Sequence, residues 1–148
     1  MAINYSLLAI PAHWLISIAP HAYALQLIKN ATNGRWNNAN PRGSTWGAEM
    51  QRTVSAEVLA RFERAEAAHH NGLENLPFFA AAVLTAQVAG VDREVIDTHA
   101  ALFLAARVVY TFMYINIAKG KASFARSGIW ALSCFLCLSL FVKAALLG

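Results

Sequence analysis

Apolar residues fill four stretches of this chain, and the polar residues collect between those stretches and at one place within them. Residues 5–28 contain no Asp, Glu, Lys or Arg, though Pro11, His13, Pro20 and His21 interrupt the apolar run and predict a kinked helix. Residues 30–47 carry Asn-Gly, Asn-Pro and Arg-Gly steps together with Asn37, Asn38 and Asn40, all strong turn formers, and so read as a loop. Trp36 and Trp46 in this loop fit a membrane surface, where an amphipathic ring meets both apolar and wet surroundings. From 48 to 89 the pattern predicts one long helix, polar in its first half and apolar in its second, up to the stop signal at Gly90. Pro77 need not end this helix, because neighbouring groups can satisfy the backbone in a lipid-embedded segment. A third helix is predicted over 95–117, a basic link over 118–125, and a fourth helix over 126–147.

Each segment reaches the roughly 20 residues that cross a hydrocarbon layer. A soluble bundle would show one polar face per helix, and residues 128–142 show none. Composition agrees: 57% of the 148 residues are hydrophobic and 14% are charged, against roughly 25% charged in soluble domains. The predicted fold is an all-α integral membrane bundle of four transmembrane helices, with residues 1–148 forming a single domain. The net charge of +4 is too diffuse for nucleic-acid binding. It does orient the bundle. Arg35 and Arg42 lie in the first link between Lys29 and Arg52, and Lys119 and Lys121 lie in the last beside Arg126; positive-inside reasoning puts both links in the cytosol. Cys134 and Cys137 have neither a flanking turn nor a second His/Cys pair, so they read as packing or lipid-facing residues.

The polar run Glu63-Arg64-Ala65-Glu66-Ala67-Ala68-His69-His70-Asn71-Gly72-Leu73-Glu74-Asn75 is the candidate site, since ionisable groups within greasy helices mark function. Helical spacing places Arg64, Asn71 and Glu74 on one stripe with Asn75 beside it, and Glu63, His70 and Glu74 on an overlapping one. Glu66 and His69 are spaced to pair. The third segment offers Arg107, Tyr110 and Tyr114 at matching intervals, and a buried Glu74 calls for Arg64 or Arg107 as countercharge. Asp97 and His99 fall near the opposite, luminal end. Adjacent His69 and His70 point to different faces and no His-Glu-x-x-His occurs, so no metal is expected. A polar network that only fixes helix contacts is the alternative to a binding pocket opening toward the basic links.

Glu63-Arg64-x-x-x-Ala68-His69-x-Asn71-x-Leu73-Glu74-Asn75 followed by Pro77 resembles the second-helix signature of the MAPEG superfamily, membrane-associated proteins in eicosanoid and glutathione metabolism. Arg107-x-x-Tyr110-x-x-x-Tyr114 resembles that family's third helix, and Arg126-Ser127-x-x-Trp130 its entry to the fourth; the Asn-Gly-Arg and Asn-Pro-Arg loop is similar to fungal members of the microsomal glutathione transferase branch. The resemblance implies a homotrimer in the endoplasmic reticulum or a related membrane, with glutathione bound from the cytosolic side at subunit interfaces. It assigns Asn71 and Glu74 to glutathione's polar backbone and amino end, with Arg64, His69, Asn75 and Arg107 as further binding candidates. Tyr110 and Tyr114 line the site, and Arg126 or Lys121 lowers the thiol pKa. Many glutathione-using members place arginine immediately before the Ala-His or Gln of the motif, and this chain has Glu66-Ala67 instead, which removes bidentate carboxylate donors and adds a negative charge. Three functions follow as expectations: glutathione transfer to a hydrophobic electrophile; isomerisation or cyclisation of a lipid-like or secondary-metabolite substrate, with or without glutathione, using Glu66, His69, His70 or Tyr110 as acids and bases; and a non-enzymatic membrane scaffold.

Overall fold

The computed structural model describes residues 3–118, 120 and 122–147. Five helices follow in order: α1 (Tyr5–Ala31), α2 (Ser44–Thr53), α3 (Ala56–Val88), α4 (Arg93–Asn116) and α5 (Ala122–Ala145). Four are long, and α2 is a short addition. The single helix expected over 48–89 is therefore corrected to two. Val54 is extended, and the Ser55 hydroxyl accepts a hydrogen bond from the Val58 N–H, so an N-cap starts a fresh helix at this point. The break lets α2 fold back over α3, where Trp46, Met50 and Val54 close a small core around Ile28 with Trp36, Val58, Leu59 and Phe62. Trp46 is buried in that core rather than exposed at a surface, edge-on to Trp36 at 5.9 Å.

The 33 residues of α3 make a rod about 50 Å long, well over the roughly 30 Å of a hydrocarbon core. Its first half is polar and its second half apolar. Pro77 lies inside the helix without ending it. Every other helix touches α3, and α1 packs on it most extensively. The closest approach is at Gly72, where an added Cβ would meet Ser17 Oγ at 2.6 Å and Ser17 Cα at 3.1 Å. Phe79 of α3 stacks flat on Phe103 of α4 at 4.0 Å, and the His13 ring of α1 stands edge-on to both. Ala82, Val83, Ala86, Ile96, Leu136 and Leu140 extend this core toward the α3–α4 turn. At that end Asp97 accepts a hydrogen bond from the Ser6 N–H at 2.9 Å, and Gln87 donates to Ser6 Oγ, fastening α1 to α3 and α4.

The outward faces are apolar. Leu8, Trp14 and Leu15 on α1, Leu102, Val108 and Phe112 on α4, and Phe135, Leu138 and Val142 on α5 are all exposed. Water would penalise such a surface and lipid would not. Among the described residues two helices are long and apolar enough to cross a membrane, Arg93–Asn116 and Ser123–Ala145. Cys134 and Cys137 are both free, with Cys137 in the core.

Candidate functional site

The α3–α4 seam brings together most of the residues singled out in the sequence. Asn71 Oδ1 accepts a hydrogen bond from Arg107 Nη2 at 2.8 Å, which joins the two helices. The Arg107 guanidinium lies 4.4 Å from the centre of the Tyr110 ring, the Tyr110 and Tyr114 rings meet edge-on at 5.5 Å, and Arg126 from α5 sits 4.0 Å over Tyr114. Asn71, Arg107, Tyr110, Tyr114 and Arg126 thus form a continuous strip across three helices. Cations over aromatic faces gain from the ring quadrupole, most where water is excluded. Helical geometry produces the strip: Arg107, Tyr110 and Tyr114 recur at intervals of three and four, so they share one face of α4.

Arg107 is 1% exposed, and its Nε and Nη1 find no partner among the described residues. Tyr110 is buried as well, whereas Tyr114 and Arg126 are half-buried, so the strip runs from the interior to the surface. Asn75 turns its amide back on the Asn71 carbonyl at 2.8 Å, stiffening the α3 side. Arg64 donates from Nε to the Ile115 carbonyl at 2.9 Å, satisfying an orphan acceptor in the last turn of α4 beside Tyr114. Glu74 is exposed, within electrostatic reach of Tyr110. The expectation that Glu74 is buried against Arg64 or Arg107 is corrected: Arg64 is engaged by a backbone carbonyl and Arg107 by Asn71, and an exposed carboxylate needs no buried countercharge. Lys121 lies outside the described residues.

His69 faces α1 instead. Its Nδ1 donates to the Ser17 carbonyl at 2.8 Å, and its ring lies between those of His21 and His70. The expected Glu66–His69 pair is also corrected, because Glu66 binds His21 Nδ1 at 2.7 Å across the α1–α3 seam. Arg42, on the α1–α2 loop, reaches to 3.4 Å from His70. These partners were out of reach of spacing arguments. His21 and Arg42 come from other elements, and no periodicity within a single helix points to them. Arg42 beside His70 and Arg126 over Tyr114 lie toward the same end of the bundle.

Comparison with known proteins identifies the family. The model of the MAPEG family matches residues 5–146. No curated protein and no solved structure matches the chain. With nearly its whole length covered by that match, the chain belongs to the MAPEG family, whose members are membrane-associated proteins of eicosanoid and glutathione metabolism.

Proposed function

We propose that this protein is a membrane-bound, glutathione transferase-like enzyme of the fungal microsomal type, conjugating glutathione to a hydrophobic electrophile. In this reading four helices, α1, α3, α4 and α5, cross the endoplasmic reticulum or a related membrane. Three subunits assemble around interfacial sites that face the cytosol. The observation that carries the proposal is the strip from Asn71 through Arg107, Tyr110 and Tyr114 to Arg126, with a half-buried cation at its open end. Its charges suit glutathione, which brings two carboxylates, one ammonium and a thiol. Exposed Glu74 complements the ammonium, and guanidinium groups complement the carboxylates.

Arg107 holds the Asn71 side chain in place, so the Asn71 amide is presented in one orientation for the peptide part of the ligand. Tyr114 holds Arg126 by its ring face. A cation fixed in this way stabilises the thiolate more than the thiol and so lowers the thiol's pKa. The thiolate attacks the electrophilic carbon, its electron pair forming the new C–S bond. The displaced pair leaves with the departing group or collects on an activating oxygen, where a tyrosine hydroxyl can donate to it. Lys121, in the same basic link, is the second candidate for thiolate activation. The Glu66-Ala67 departure costs guanidinium donors; with Arg64 engaged by the Ile115 carbonyl, carboxylate binding falls to Arg126 and Lys121.

Calorimetry on the purified protein in mild detergent tests the proposal. Saturable glutathione binding is expected at up to millimolar ligand and is weakened in Glu74→Ala. No saturable binding at millimolar glutathione overturns the transferase reading. A three-subunit particle is expected from native mass measurement, and an active monomer or dimer would remove the interfacial site.

A further inference from the structure

The other polar cluster of the molecule is not used by the strip. Under the α1–α2 loop lies a cavity of about 250 Å³, lined by His21, Trp36, Arg42, Phe62, Glu66 and His70 among others. It opens on the face of α3 that looks toward α1 and α2, whereas the strip occupies the face toward α4. Its walls combine two aromatic rings with a basic rim and a carboxylate–imidazole pair. Glu66 Oε1 and His21 Nδ1 are 2.7 Å apart. A carboxylate only accepts, so Nδ1 carries the proton. That tautomer leaves Nε2 as the free acceptor of the ring, and it has no protein partner among the described residues. Glu66 is mostly covered while His21 is 38% exposed, the arrangement of an orienting acid behind an accessible base.

We propose that this cavity is a second active site, in which the His21–Glu66 pair moves a proton on a small, unsaturated carbonyl compound without glutathione. The cavity is smaller than the roughly 300–1,000 Å³ that accommodates drug-sized ligands, so the substrate is compact. Trp36 and Phe62 favour a flat, unsaturated body. His21 Nε2 takes a proton from the saturated carbon that lies between the carbonyl and a β,γ double bond. The C–H electron pair passes into the enolate, whose oxygen is stabilised by the Arg42 guanidinium at the rim. The imidazolium returns the proton to the far end of the conjugated system. The double bond migrates, His21 is neutral again, and no oxidant or co-reactant is consumed. Glu66 is a positioning residue, fixing the tautomer and stabilising the transient imidazolium.

The probe is 5-nitrobenzisoxazole, a flat compound whose ring opens when a base removes its one acidic C–H proton, breaking the N–O bond and releasing a coloured phenolate. It is assayed on the full-length protein in detergent with glutathione absent, so failure of the transferase reading would leave this test intact. The wild type should exceed an equal concentration of free imidazole by at least about a hundredfold, the lower end of what a positioned base supplies. His21→Ala should fall to the detergent blank and recover on adding millimolar imidazole, which a purely structural role would not produce. Glu66→Gln, which keeps the size of the side chain, should lose about tenfold, and Arg42→Met a smaller factor. A wild-type rate no greater than that of free imidazole overturns the proposal. So does an unchanged rate in His21→Ala. If His21→Ala does not assemble, an unchanged rate in Glu66→Gln overturns the pair.

Discussion

α3 carries polar side chains on two faces and uses them differently. Toward α1, the Glu66 carboxylate closes on His21, His69 closes on the Ser17 carbonyl, and Gly72 lets the two backbones come together. Toward α4, Asn71 meets only one of the donors on Arg107, and the rest of that seam is cation over ring, out to Arg126 on the surface. The first seam is tight and pairs its Glu66 and His69 groups within the protein, although both ring nitrogens of His13 lie buried against Phe79 without a partner among the described residues. The second has hydrogen-bonding capacity left over. A buried polar group without a partner costs more than a hydrogen bond returns, so a fold keeps such capacity where something else meets it. The α4 seam keeps a buried cation for a ligand, while the α1 seam is closed in its interior and open only at the cavity beside His21.

Arg126→Ala breaks the comparison most sharply if the α4 side is the chemical one. Turnover of a hydrophobic electrophile should fall about a hundredfold, roughly 2.7 kcal/mol of lost transition-state stabilisation, with a smaller change in glutathione affinity. Stopped-flow thiolate absorbance should show a raised thiol pKa, and thermal melting in detergent should barely move. Normal thiolate formation and turnover would reject the role, and the same loss in Lys121→Ala would transfer it to the link.

At the Gly72 contact between α1 and α3 the expected loss is in stability. Gly72→Ala places a methyl 2.6 Å from Ser17 Oγ and should cost about 1–3 kcal/mol, read as an earlier denaturation midpoint in detergent. Pairing it with Ser17→Gly removes the two nearest atoms and should restore part of the loss. If the double variant is no better than the single one, helix contact at this point is not what limits the seam.

Glu74→Gln sharpens the α4 side. Its exposed carboxylate makes no ion pair among the described residues, so stability should stay within about 0.5 kcal/mol. Glutathione affinity should fall about tenfold, for a lost charge-assisted hydrogen bond to the ligand ammonium. A large shift in melting with unchanged affinity would reassign Glu74 to assembly. The smallest effect belongs to Arg64→Met. It removes one hydrogen bond to the Ile115 carbonyl while keeping the apolar stem, and should cost about 1 kcal/mol of stability.

Much of the α4 side was legible in advance because it is periodic. Arg107, Tyr110 and Tyr114 share a face through spacing alone, and Asn71 and Asn75 do so on α3. The α1 side was not legible. His21 lies in an otherwise uncharged stretch, where it read as an interruption, and its partner Glu66 is 45 residues away. The α2–α3 break was hidden for a related reason. Val54-Ser55 is no strong turn signal, and what favours the break is burial of Trp46, Met50 and Val54 against Ile28, a contact between distant segments.

The sequence by itself determined the helical class, the apolar outward faces, the two basic links and the periodic polar faces, because hydropathy and helical repeat are local properties that any fold of this chain must respect. Only the tertiary structure decided which polar face meets which helix. That choice depends on how α1 rotates against Gly72 and where α2 folds back, and both are set by packing among residues far apart in the chain. It sent Glu66 and His69 toward α1 and left Asn71 with Arg107, dividing one polar run between two seams.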